Sequence, residues 1–466
     1  MANKLRRDLG RLHAYSTLIG VMVGSGIFVV VGEAAGKAGP LVPIAYLLLA
    51  PVIVATALAY AVFTSTPLGQ RPGGAYIHIS RTFGSYFLGF IFMWLKWVAY
   101  IGATAFLALS FGEYFEFFAL SFAEHFGFRL PPIDPIIVAT VILGVFYLVH
   151  IFGVRIYGRL QTLMVLGLML TIAVLVLPGL FSIRLHNLVA PSPLGWTGFT
   201  EVLPSLFFAY LGFEALAQAA GETKDSRRTL PKVFLFGVLI STGLYFLMSL
   251  VAVGVLPWQQ LAQSKAPMAE VASVYLPFAA AALVAVGAML AFATSVNANL
   301  IAPSRLLFVF AEDRVVPAFL SRVNPRFRTP LISLSVSTGM SAVLIWTNSY
   351  KYSFDIALQA MVLLYLAHSL TIMFLPFLNP ELYQTALFRP RPAILVLAGG
   401  FAVAALAWMS YRLLLTPGHW PLFVVWSAVG TLVFSYSRIR GRRDGFDYAS
   451  ALRADYQSDK DSVAEQ

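Results

Sequence analysis

Residues Gly20-Val21-Met22-Val23-Gly24-Ser25-Gly26-Ile27-Phe28 put three glycines and a serine within seven positions of the first long apolar run. A helix crossing hydrocarbon must satisfy each backbone N–H and C=O within itself or on neighbouring protein. Glycine lowers the cost of unwinding and lets other groups approach the backbone. A break at this point would free C=O groups at the end of one half-helix and N–H groups at the start of the next. The N–H groups suit a carboxylate, and the C=O groups an ammonium or small cation. One break can thus hold both ends of a zwitterion. The Gly20–Gly24 spacing is also that of a plain helix-packing face, and only a second break elsewhere in the chain would separate the two readings.

Of the 466 residues, 59% are hydrophobic and 11% charged, against about 25% charged in a soluble domain. Runs of about 20 apolar residues are needed to span a bilayer. Twelve occur, near 16–36, 41–66, 86–112, 134–154, 158–180, 199–219, 233–256, 277–309, 331–347, 354–378, 392–414 and 418–437. The chain therefore reads as an all-α polytopic membrane protein with twelve transmembrane helices. The net charge of +11 does not signal nucleic acid. With both termini cytoplasmic, Lys37, Arg129, Arg184, Lys265, Lys351 and Arg412 fall outside, Lys96 falls in a span, and the other 25 of 32 Lys and Arg fall inside, as the positive-inside rule requires. Having no cysteine, the chain has no disulfide, thiol catalysis or Cys-bound metal. The basic start leads into a run too long and too glycine-rich for a signal peptide, which makes it an uncleaved first span.

Span six repeats the anomaly of span one. Pro204 to Glu214 set Gly212 and a carboxylate in an apolar helix. Paired interruptions in two halves of a chain are the pattern of a transporter site. They divide residues 15–378 into two inverted five-helix repeats (15–180 and 199–378), with broken helices 1 and 6. Helices 11 and 12 (392–437) are appended, a cytoplasmic segment (1–14) precedes, and a basic tail (438–466) follows. Lys96 in span three and Glu214 in span six are charges inside hydrocarbon, where an ionisable group is by default functional; snorkelling is the alternative for Lys96. Glu214 should be paired, neutral or near water. The stretch Tyr76–Arg81, after the Pro- and Gly-rich loop 67–74, is expected to lie along the inner surface. Span eight carries Thr294, Ser295, Asn297 and Asn299, which suit either inter-helix hydrogen bonds or contact with substrate or ion.

Four stretches, in order, resemble the amino acid–polyamine–organocation transporter superfamily, which has the leucine-transporter fold. They are Gly24-Ser25-Gly26-Ile27-Phe28; Arg71-Pro72-Gly73-Gly74-Ala75-Tyr76 with Arg81 and Phe83-Gly84; Phe207 to Glu214 with Glu222 to Pro231; and Ser304-Arg305 to Pro317. The resemblance implies a substrate carboxylate on the N–H groups of Ser25 and Gly26, aided by the Ser25 hydroxyl. It implies an ammonium on the carbonyls of Met22, Phe208 and Leu211, and an aromatic, Tyr210, that closes over the substrate. Gly24 and Ile27 belong to the same segment, and Trp97, Ala103 and Asn299 would shape the side-chain pocket.

Two departures concern coupling. Many proton-coupled relatives carry a lysine in span five about seven residues after a glutamine, but here Gln161 is followed by Gly167 and Leu168. Lys96 and Glu214 are the replacement candidates for a proton. A sodium ion would need the carbonyls of Gly20 and Val23 with hydroxyls of Thr294 and Ser295, which are expected to lie about one turn too far outward. The coupling ion stays open between H+ and Na+, and no cofactor or metal is implied. No filter loops or charge rings suggest a channel, and no acid–base or ligand cluster within the spans suggests an enzyme. The expected function is alternating-access transport of neutral, hydrophobic L-amino acids, proton-coupled or by exchange. The alternatives are a cationic amino acid or polyamine substrate, or a sensor that binds without transporting. The expected partners are the amino acid and the lipid bilayer of the plasma (inner) membrane, with no nucleic acid and no protein partner.

Overall fold

The computed structural model describes residues 6–28, 30–264, 266–347, 350–414 and 420–452. The first break yields α1 (Arg11–Met22), α2 (Ser25–Phe28) and α3 (Val30–Ala38). Then come α4 (Val42–Ser65), α5 (Ala75–Thr82), α6 (Tyr86–His125), α7 (Pro135–Ile151), α8 (Val154–Phe181) and the short α9 (Leu185–Leu188). The second interrupted span is α10 (Gly195–Phe207) and α11 (Ala215–Gln218), followed by α12 (Ser226–Val255), α13 (Trp258–Gln263) and α14 (Pro267–Tyr275). The remainder is α15 (Phe278–Glu312), α16 (Leu331–Trp346), α17 (Tyr350–Leu378), α18 (Pro380–Gln384), α19 (Pro392–Leu414) and α20 (Trp420–Arg443). No strand occurs among the described residues; Leu9 and Thr223 form an isolated parallel bridge.

Each of the twelve expected runs carries helix, but length and apolarity together mark eight spans among the described residues. α7 and α16, of 17 and 16 residues, fall short of the roughly 20 that hydrocarbon requires. The 40 residues of α6, at about 1.5 Å each, overrun the expected 86–112 well beyond the bilayer. Leu163, Leu166, Leu170 and Leu177 of α8 are more than half exposed. Spaced three, four and seven residues apart, they form one greasy stripe that only lipid or another apolar surface would cover. Inside, α15 packs on α6 and α8, α12 on α4, and α17 on α6 and α19, while α1 sits among α8, α12 and α15.

The placement of α5 along the surface is corrected. All eight of its residues are buried, because its polar side chains find partners inside the protein. Arg81 donates to both carboxylate oxygens of Asp313, at 3.0 and 3.2 Å. His78 Nδ1 lies 3.0 Å from Nε2 of His368. The amphipathic pattern is real, but protein covers both faces of the helix.

The face of the bundle from which α1 starts, here the N-terminal face, is held by buried charges. Arg305 forks onto Glu222 through Nε (3.0 Å) and a terminal nitrogen (2.8 Å). Arg227 donates to the carbonyls of Ser65 and Thr385. Leu9 is tied to the segment after α11: its N–H donates to Glu222 O at 3.0 Å, and its carbonyl accepts from Lys224 N–H at 2.8 Å. Stripping one partner from a buried ion pair costs about 3–5 kcal/mol, because the other charge is stranded. Arg305→Gln is therefore expected to lower the thermal midpoint of the purified protein sharply. The double variant Arg305→Gln/Glu222→Gln should recover part of that loss, and a double variant less stable than either single one would contradict the pairing.

Candidate functional site

Helix α1 ends where Val23 turns out of helical geometry (φ −77°, ψ 76°), and Gly24 N–H reaches back to Met22 O at 2.8 Å. In the other interrupted span, Phe208–Tyr210 form a tight 3-10 turn closed by Leu211 N–H on Phe208 O at 3.0 Å. Gly212 follows at φ +99°, a conformation that a side chain would strain. The two breaks touch. A Cβ on Gly26 would lie 2.3 Å from Ala209 Cα, so no other residue fits at Gly26 without pushing the breaks apart.

Unwinding frees peptide groups, and tyrosines from neighbouring helices take them up. Tyr46 donates to Gly26 O (2.7 Å), Tyr245 to Ala209 O (2.6 Å) and Tyr114 to Phe28 O (2.9 Å). Tyr210 donates to Tyr46 O at 2.8 Å. The rings of Tyr46, Tyr210 and Tyr245 pack within 5.0–6.2 Å of one another.

Between the breaks lies a cavity of about 20 Å³, room for about one water molecule. Of the predicted site residues, Met22, Gly24, Gly26, Phe208, Leu211, Ala103 and Asn299 line it, together with Ser295. Ile27 is buried in the surrounding core, and the Ser25 side chain lies outside the described residues. Tyr210 and Trp97 are not among the lining residues. Tyr210 is spent on bracing α4, and Trp97 Nε1 donates to Ser337 Oγ of α16 at 3.1 Å. Val21, Gly212, Leu107 and Met361 also line the cavity. Leu107 was legible in principle, since it sits one helical turn from Ala103 on the same face. Met361 had no sequence signal beyond lying in span ten. Asn299 offers a buried amide oxygen that has no partner among the described residues.

Lys96 and Glu214, far apart in sequence, form a buried ion pair. Tyr365 and Tyr100 donate to the same carboxylate, Tyr100 at 3.1 Å, and so does Gly212 N–H at 3.0 Å. The Lys96 ammonium also sits 4.2 Å from the Tyr100 ring centroid. Four donors from α6, α17 and the second break thus converge on one acid, which ties the broken span to α6. The expected one-turn offset in span eight is corrected: Thr294 and Ser295 hydroxyls reach Gly20 O at 2.9 and 3.0 Å. Gln161 joins this contact through Thr294 O and the Asn297 side chain. Ser295 Oγ also reaches Val21 O, at 3.4 Å.

The sequence pattern of the amino acid permease family matches residues 9–434. The chain is similar to the branched-chain amino acid permease BcaP of Bacillus subtilis (28% identical over 351 residues, 73% of this chain and 74% of the relative). It is similar to the methylthioribose transporter of the same bacterium (28% over 459 residues, 94% and 95%). It is also similar to that bacterium's serine/threonine exchanger SteT (26% over 415 residues, 86% and 91%). Match and site together lead to one assignment: the chain belongs to the amino acid permease family, within the amino acid–polyamine–organocation superfamily, as a multi-pass membrane transporter rather than an enzyme.

Proposed function

We propose that this protein is a secondary active transporter of neutral, hydrophobic L-amino acids. The observation that carries the proposal is the cavity at the contact of the two breaks. Its lining is apolar except for Ser295 and Asn299, and Glu214, the acid of the second break, is already neutralised by Lys96. A cationic substrate would need an acid free to receive it. In this reading the substrate carboxylate sits on the N–H groups of Ser25 and Gly26. Its ammonium meets the carbonyls of Met22, Phe208 and Leu211, each of which has a second lone pair beyond any bond it already accepts. Ala103, Leu107, Met361 and Asn299 bound the side-chain pocket. Relatives are named for branched-chain and hydroxyl amino acids and also for cationic ones, so the choice of an uncharged side chain rests on the paired Glu214.

A space of about 20 Å³ does not admit an amino acid, so transport requires movement. The broken spans with α4 and α12 rock against α6, α7, α15 and α16 about the site, in two inverted repeats over 15–180 and 199–378. Arginines crowd the N-terminal face, which favours a cytoplasmic position for both termini in the plasma membrane. Coupling is by proton through the Lys96–Glu214 pair, or the protein exchanges one amino acid for another. Sodium is the weaker candidate, because two hydroxyls already donate to Gly20 O.

The test is uptake of labelled amino acids into liposomes holding the purified protein. Leucine, valine and isoleucine should enter at least tenfold faster than arginine or lysine, and the reverse order would overturn the substrate assignment. Ala103→Leu adds three carbons to the cavity wall and should cut uptake more than tenfold while the protein stays monodisperse; unchanged uptake would move the site elsewhere. Lys96→Gln/Glu214→Gln removes both charges together and avoids a stranded one. This variant should keep exchange against internal substrate within a few-fold yet no longer accumulate substrate under an imposed proton gradient. Accumulation at the original level would exclude the pair from coupling.

A further inference from the structure

A second cavity, of about 310 Å³, opens on the N-terminal face and shares no lining residue with the cavity between the breaks. Arg6, Arg155, Arg326 and Arg328 all line it. The two acids at its wall are engaged: Asp8 with Arg6 at 2.6 Å, and Glu222 with Arg305 at 2.8 Å. Arg155, Arg326 and Arg328 have no carboxylate partner among the described residues. The positive-inside rule accounts for arginines on this face, but not for their convergence on one concavity, where like charges repel.

The loop that carries Arg326 and Arg328 is held by its own hydrogen bonds. The Asn324 side-chain oxygen accepts the N–H groups of Arg326 (2.9 Å) and Phe327 (3.2 Å), and Asn324 O accepts Arg328 N–H at 2.8 Å. This holds Arg328 at φ +54°, a conformation that is strained for a non-glycine residue. Across the cavity α8 starts at Val154 with no side-chain cap, so its positive dipole end faces the same space. Phe152 and Phe327 meet edge to face at 5.6 Å on the wall, and Phe152 is half exposed.

We propose that this cavity binds a phosphate-bearing anion, held by the guanidinium forks of Arg155, Arg326 and Arg328. Guanidinium matches phosphate oxygens two at a time. The volume exceeds what a bare phosphate needs, and the aromatic wall suits the glycerol end of a phospholipid headgroup. The anion would bridge Arg6, on the segment leading into α1, to loops of α7–α8 and α15–α16. It would thereby tie the broken helices to their surroundings at this face.

The test titrates the full-length purified protein with phosphatidylglycerol, and in parallel with inorganic phosphate, reading bound adducts by native mass spectrometry. Arg326→Gln/Arg328→Gln should weaken binding at least fivefold. Arg442→Gln/Arg443→Gln removes equal charge at the end of α20 and should leave binding unchanged. Equal losses in both variants would reduce the effect to general surface charge and overturn the proposal, as would no binding of either probe. Binding of phosphatidylglycerol but not phosphate identifies the source as a lipid, and the converse identifies a soluble phosphate. Should the first variant misfold, phenylglyoxal labelling of the wild type decides: the bound probe must shield Arg155, Arg326 and Arg328 but not Arg442 or Arg443, and uniform labelling would overturn the site.

Discussion

A peptide group left without a partner in hydrocarbon costs several kcal/mol, and the rest of this structure is arranged around that cost. Two helices are broken where breaking is most expensive. The expense is met locally, by three tyrosine hydroxyls that reach carbonyls of Gly26, Phe28 and Ala209, while Tyr210 of the second break braces Tyr46 O of α4. Each tyrosine brings a ring with its hydroxyl, so the groups that satisfy the backbone also fill the space that unwinding opens. The breaks are consequently two packed turns rather than an open gap.

Charge follows the same logic. Glu214 lies in the second break, and its carboxylate meets Lys96, Tyr100, Tyr365 and the Gly212 N–H. These four ligands come from three places: α6 twice, α17, and the break itself. Buried ion pairs are poor sources of net stability but strong determinants of which arrangement is adopted. Here the pair fixes how the second break stands against α6. At the N-terminal face Arg305 with Glu222, and Arg81 with Asp313, do the same for the loops.

Much of this was legible in the sequence. Gly20, Gly24, Gly26 and Gly212 marked both breaks, because glycine within an apolar helix is a backbone signal that needs no knowledge of neighbours. Lys96 and Glu214 were each legible as anomalies, but their union was not, since nothing in the spacing of 96 and 214 brings α6 to the second break. Tyr46, Tyr114 and Tyr245 carry no mark in the sequence, because their role depends on where a hydroxyl points. Trp97 and Tyr210 do not line the cavity: the indole of Trp97 meets Ser337 and the hydroxyl of Tyr210 meets Tyr46 O. The burial of α5 was hidden because an amphipathic pattern cannot distinguish water from a polar protein interior.

The strap at Leu9 has a mechanical meaning. Its two hydrogen bonds, to Glu222 O and from Lys224 N–H, join the lead-in of the first broken helix to the tail of the second before either enters the bundle. Segments spliced in this way are constrained to one another at this face. In the rocking motion proposed above, the two broken spans would then tilt as one body rather than as two.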